Sequence, residues 1–270
     1  MTAKYQSLIG SFQWLITLGR FDIHTATMTM SRFSAAPRQG HLERLKRIAS
    51  YIKHTREYGI RVRTNEPDYS DVPSVEHDWS HTVYTGAHEQ VPHNAPTPLG
   101  KPVVLTSFVD ANLEHCKLTG RAVTGVIEMM NGTPIGWYSK RQSTVETATY
   151  GSEIVAARIA CDRTIDKRTR LRYLGVPIKS ATYLFGDNRA VVDMKFPHSK
   201  LAKRHHSLNW HRTRECIAAK ILIFNHIDGK HNPADILSKH CGYSDGIAHI
   251  KPLFDWAGDT AFCFWKKSSD

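Results

Sequence analysis

Residues 106–120, "TSFVDANLEHCKLTG", continue an apolar run that starts at Val103, Val104 and Leu105, passes through Phe108 and Val109, and then ends on a carboxylate, Asp110. The run predicts a buried strand. An ionised Asp beside such a strand is costly to desolvate unless something positive pairs with it, whether a Lys or Arg, a set of backbone donors or a metal ion. The choice among these partners decides what the strand is for.

Downstream, 123–130 (VTGVIEMM) and 135–139 (IGWYS) read as further strands of a meander, with turn signals near Gly120 and at "NGTP". Residues 145–175 carry apolar side chains at helical spacing and stop on Gly175. "ATYLFGDN" (181–188) is a short apolar strand ending in Asp187, followed by a helix over 205–219 and the strand "ILIFNHID" (221–228). A last helix opens at "NPADILSK" (232–239), where Asn232 can cap and Pro233 suits the first turn. Strands before and between helices make an α/β domain.

Upstream, residues 1–63 read as helices: Leu8, Ile9, Phe12, Leu15, Ile16, Ile23, Met28 and Phe33 recur at three-to-four spacing, and Leu42, Leu45, Ile48 and Ile52 line one face of a second stretch. Residues 64–100 hold Pro67, Pro73, Pro92, Pro96 and Pro98 without a sustained period, which predicts an acidic linker or long loop. Charge follows the same divisions. Residues 1–63 carry 11 Lys/Arg against 3 Asp/Glu (+8), residues 64–100 none against 6 (−6), and residues 101–270 carry 25 against 16 (+9). Two basic blocks make a polyanionic partner plausible, beside the plainer reading of a basic solvated surface.

The 270 residues are 41% hydrophobic and 23% charged, an ordinary globular mixture long enough to bury a core. Cys116, Cys161, Cys216, Cys241 and Cys263 form no CxxC pair, so they suggest neither a zinc site nor a disulfide framework. Without an apolar span or a signal-like start, the expectation is an intracellular chain, in a cytoplasmic particle or the nucleus, with no membrane partner.

Four acids share one kind of setting: Asp110 and Asp187 end strands, Glu153 lies on a helix beside Gly151 and Ser152, and Asp235 sits in the first turn of the last helix. Singly, each has a plain explanation as a turn former, a surface residue or a helix-dipole acid. If the sheet brings them together, like-charge repulsion forbids the cluster unless cations bind, and two Mg2+ ions meet that requirement, with Mn2+ as a substitute.

"SFVDANLEHCKLTGRAVTGVIEMMNGTPIGWYSKRQSTVETATYGSEIVAARIA", "FGDNRAVV", "KRHHSLNWHRTREC" and "IDGKHNPADILSK" resemble the ribonuclease H domain of copia-type LTR retrotransposon polyproteins. The first block resembles the end of the reverse transcriptase just upstream in the same polyproteins. The resemblance implies a ribonuclease H-like mixed sheet flanked by helices over 101–243, a helical thumb or connection remnant over 1–63, a linker over 64–100 and a tail over 244–270. It implies metal binding by Asp110, Glu153, Asp187 and Asp235, hydrolysis of the RNA strand of an RNA/DNA hybrid, and the remainder of the polyprotein as a further partner. His231, on the loop before the last acid, is a candidate for moving protons or releasing product. Lys200, Lys203, Arg204, His205, Arg212 and Arg214 are candidates for contacting phosphates, while Trp137, Tyr138 and Trp210 read as core.

The sequence departs from the family at Arg20-Phe21-Asp22, where Arg-Pro-Asp is usual, and at Leu113, where an aromatic is common. No Asp-Asp dipeptide occurs, so the polymerase's paired aspartates are missing and DNA synthesis is not expected. An integrase or transposase of the same fold would carry its Glu last rather than second. A non-catalytic nucleic-acid-binding remnant of such an element would carry the same pattern as an active enzyme.

Overall fold

The computed structural model describes residues 1–113, 116, 119–201 and 203–255. Its centre is a five-stranded mixed sheet of β2 (Leu105–Asn112), β3 (Val123–Met130), β4 (Thr133–Arg141), β5 (Thr182–Gly186) and β6 (Leu222–His226), in the spatial order β4-β3-β2-β5-β6; α1 to α3 and β1 precede these strands and are described below. β2, β3 and β4 pair antiparallel, as the predicted meander requires, while β5 and β6 add parallel to β2. Those parallel additions need crossovers. They are supplied by α4 (Thr149–Tyr173) between β4 and β5, and by α5 (Arg189–Val192) and α6 (Ser207–Ala218) between β5 and β6. This is the ribonuclease H-like mixed sheet flanked by helices.

Side chains alternate across the strands and feed two cores. Val109, Ala111, Val126, Leu184, Leu222 and Phe224 pack under α4 and α6. Phe108, Ile127 and Phe185 face the other way, with Ala234 and Leu237 of the C-terminal helical turns. The second core is shared with the N-terminal block. α1 (Thr2–Thr17), α2 (His24–Ser31) and α3 (Gln39–His54) form a small bundle around Tyr5, Ile9, Phe12, Ile23 and Leu45. Phe21, in the 3-10 turn between α1 and α2, leaves that bundle to stack on Trp137 of β4 at 5.0 Å and to meet Phe254 at 4.8 Å. Arg20 is buried beneath it, pairing with Asp22 at 2.7 Å and donating to the Thr55 carbonyl at 3.0 Å.

Two sequence expectations change here. The expected tail from 244 onward includes most of α8 (Tyr243–Ile250) and β7 (Phe254–Asp255), and β7 pairs antiparallel with β1 (Gly59–Ile60), so residues up to 255 belong to the packed body. Residues 256–270 lie outside the described residues. The stretch 64–100 has no helix or strand and is strapped to the domain: Tyr69 stacks on Tyr183 at 4.3 Å and Tyr84 hydrogen-bonds His211 at 2.7 Å. Three of its six acids are tied down as well. Glu66 pairs with Lys179, Glu76 with Lys220 and Glu89 with Arg168 and Arg172, so part of the domain's positive charge is neutralised within the chain.

Candidate active site

β2 and β5 are parallel neighbours with Phe108 opposite Phe185, so their C-terminal ends coincide and carry Asp110 and Asp187 out at one edge. α4 crosses β2 and delivers Glu153 from its second turn. Carboxylate oxygens of Asp110, Glu153 and Asp187 all lie within 4.8 Å of one another, with Asp110 and Glu153 buried. Asp235 enters from the other side, at the start of α7 (Asp235–Ser238).

Gly125 is what lets α7 come close. It pairs with Asp110 across the β2–β3 ladder, and a Cβ there would stand 2.6 Å from the Ala234 carbonyl and 2.9 Å from the Ser238 nitrogen. Bare backbone at that point allows the Ser238 hydroxyl to donate to Asp110, while Lys239 Nζ donates to Asp110 at 3.2 Å and to Asp235 at 2.8 Å. Asn232 anchors the approach: its side-chain amide donates to the Val109 carbonyl at 2.9 Å and its oxygen accepts from the Ala234 N–H at 3.1 Å.

The electrostatics are one-sided. Among the described residues, Glu153 accepts one hydrogen bond, from the Ala111 N–H at 3.3 Å. Burial, followed by repulsion from Asp110 and Asp187, pushes its carboxyl well above the usual range. Asp187 is raised by burial and then by Asp110, and Asp235 is pushed up to about 7 by the same two causes, against the pull of Lys239. Four carboxylates therefore share one ammonium. Asp110, Glu153 and Asp187 border an open cleft of about 490 Å³ lined also by Asn112, Thr149, Asn188 and Lys239, while Asp235 is not among its lining residues. A larger cavity of about 670 Å³ between the strap and β6 contains none of the four acids.

Lys239, Ser238 and His226 were not singled out by the sequence. His226, at the end of β6, donates from Nε2 to the Asp187 carbonyl at 3.0 Å. Lys239 had one local signal, its spacing of four from Asp235 along a helical turn. His231 is not among the residues lining the acid cleft; it sits on a 3-10 turn where its N–H bonds the Asp228 carbonyl at 2.8 Å.

The basic stretch divides. Lys200, Lys203, Arg204 and His205 are exposed. Arg212 is held between Asp162 at 3.1 Å and Glu215 at 3.0 Å. Arg214 is the clear correction: it is buried, its guanidinium donates to the carbonyls of Met194, Phe196 and Pro197 at 2.8–3.0 Å, and it lies 4.3 Å from the centre of the Trp210 ring. A guanidinium with those partners braces a loop and is closed to phosphate.

No protein-family model matches the chain. It is similar to the retrovirus-related Pol polyprotein of transposon TNT 1-94 from Nicotiana tabacum, 23% identical over 236 residues that make up 87% of this chain and 15% of that polyprotein. It is similar also to the Pol polyprotein of transposon RE1 from Arabidopsis thaliana, 22% identical over 239 residues, 87% of this chain and 14% of that one. The chain thus spans about one seventh of the length of these relatives. Among solved structures, LC11-RNase H1 in complex with an RNA/DNA hybrid aligns with a TM-score of 0.41 and 17% identity, covering 50% of this chain and 93% of that one.

Proposed function

We propose that the chain is the ribonuclease H portion of a copia-type retrotransposon polyprotein and that it cleaves the RNA strand of RNA/DNA hybrids endonucleolytically, with two Mg2+ ions or Mn2+ in their place. The observation that carries this reading is the convergence of Asp110, Glu153 and Asp187 within 4.8 Å, the first two buried, without a matching set of cations. The donor set fits hard divalent ions: it is all carboxylate oxygen, and the raised proton affinities of Glu153 and Asp187 mark it as short of positive charge. When bound, such a pair of ions supplies an activated water and stabilises the leaving oxygen of a phosphodiester.

The chain's own residues do the rest. Asp110 and Asp187 hold the centre from adjacent strand ends, and Glu153 and Asp235 complete the ligand shells from two helices. Lys239 and Ser238 fix the Asp110 carboxylate, and Lys203 and Arg204 are free to meet the backbone of the hybrid. Lys239 favours one other reading, because an ammonium shared by Asp110 and Asp235 also suits a non-catalytic nucleic-acid-binding remnant. A labelled hybrid incubated with and without Mg2+ separates the two. Mg2+-dependent cleavage of the RNA strand that disappears in Asp110→Asn is the expected result, and undiminished cleavage in that variant overturns the assignment.

A further inference from the structure

Beyond the acid cleft, a second cluster of ligating side chains stands on the first turn of α4. Glu146, in the loop before that helix, directs one carboxylate oxygen at two neighbouring imidazoles, with Nε2 of His206 at 3.5 Å and Nε2 of His205 at 3.8 Å. The Glu146 side chain is only 7% exposed and no hydrogen bond reaches its carboxylate among the described residues. His206 is buried too, and one ligand atom from each of Glu146, His205 and His206 lies within 4.8 Å of the others.

The backbone is cut away to make room for this arrangement. A Cβ on Gly151 would stand 2.5 Å from the Glu146 oxygen and 3.1 Å from His206 Nε2, so only glycine allows the two side chains to meet above the helix. The His205 ring, 60% exposed, leaves the remaining side open to solvent.

We propose that Glu146, His205 and His206 form a site for a borderline divalent ion of the Zn2+ class, with a donor set independent of the acid cleft. In a tetrahedral site with bonds of about 2.0–2.1 Å, neighbouring donor atoms stand about 3.3 Å apart, close to the spacings here. Two imidazoles and one carboxylate with an open fourth position suit Zn2+ or Co2+, whereas Mg2+ prefers an all-oxygen shell like that of the cleft. An ion so held would clamp the segment carrying Lys203 and Arg204 to the start of α4, the helix that also carries Glu153.

The test is a Co2+ titration of the full chain in excess Mg2+, read by visible d–d absorption. One equivalent is expected to give the intense band of four- or five-coordinate cobalt with nitrogen ligands, and Zn2+ to erase it by displacement. Glu146→Gln and His205→Ala should each weaken binding at least about tenfold. The exposed position of His205 keeps its variant foldable, as circular dichroism can check. Asp110→Asn should leave the band in place, which separates this site from the cleft. The proposal is overturned by the absence of a band, by identical titrations of wild type and His205→Ala, or by a band that vanishes in Asp110→Asn and survives Glu146→Gln.

Discussion

α4 serves two carboxylates that fare in opposite ways. Near its C-terminal end Arg168 and Arg172 reach out to Glu89 of the strap, with three N–O distances of 2.7–2.8 Å, and although burial alone would raise the Glu89 carboxyl, the two guanidiniums hold it at about 2. Near its N-terminal end the same helix buries Glu153 beside Asp110 and Asp187, and there burial and repulsion act together to raise it. One carboxylate is given two internal cations and stabilises the fold. The other shares a single Lys239 with three more acids, an arrangement that costs stability and that an external cation would relieve.

The sharpest way to break this contrast is to neutralise one member of each site. Asp110→Asn is expected to lower Mg2+-dependent cleavage by about three orders of magnitude or more, while its unfolding midpoint without metal stays the same or rises, because one repulsive charge has gone. A large fall in that midpoint would place Asp110 with Glu89, as a structural acid. Glu89→Gln should do the reverse. It leaves Arg168, only 4% exposed, beside Arg172 without their shared acid, and breaking a buried pair in this way costs about 3–5 kcal/mol, a shift on the order of 10 °C. Cleavage per folded molecule should be unchanged, which activity normalised to the folded fraction will show.

Acid titration gives a smaller effect with a definite sign. The folded-state pKa of Glu89, about 2, lies below its usual 4.5, so its contribution to stability is complete above about pH 4.5 and is lost as the pH falls toward 2. Over that window the wild-type chain should lose on the order of 2–3 kcal/mol that Glu89→Gln does not. Parallel pH profiles for the two proteins would remove Glu89 from the stabilising side of the comparison.

Asp110 and Asp187 were legible in the sequence because each sits at the end of a local pattern. Phe108 and Val109 mark a strand, Leu184 and Phe185 mark its parallel neighbour, and parallel neighbours expose their last residues together. What failed to show was whatever depended on distant pairing. Glu89 and Arg168 are 79 residues apart, so the strap's negative charge looked like solvated linker, and β7 finds β1 across most of the chain. Arg214 looked like its basic neighbours because composition carries no burial; only the carbonyls of residues 194–197 and the Trp210 ring reveal what it holds. Lys239 was visible as a residue but not as a partner of Asp110, since that contact depends on the bare backbone of Gly125.

The smallest predicted effect separates free cations from committed ones on the proposed binding side. Lys203 and Arg204 are exposed and have no ion-pair partner among the described residues, whereas the Arg214 guanidinium donates from its two terminal nitrogens to three backbone carbonyls. Each phosphate contact made by a free cation releases about one counterion, so affinity falls with salt in proportion to the number of such contacts. Neutralising Lys203 and Arg204 together should therefore weaken hybrid binding several-fold and lower the slope of log affinity against log salt by about one to two units, with no change in sequence preference. Arg214→Gln should leave that slope alone and instead lower the unfolding midpoint, because three carbonyls lose their donor. Binding isotherms on one hybrid at several salt concentrations measure both. A slope that drops in Arg214→Gln but not in the double variant would reverse the assignment and put the binding face on the side of the strap.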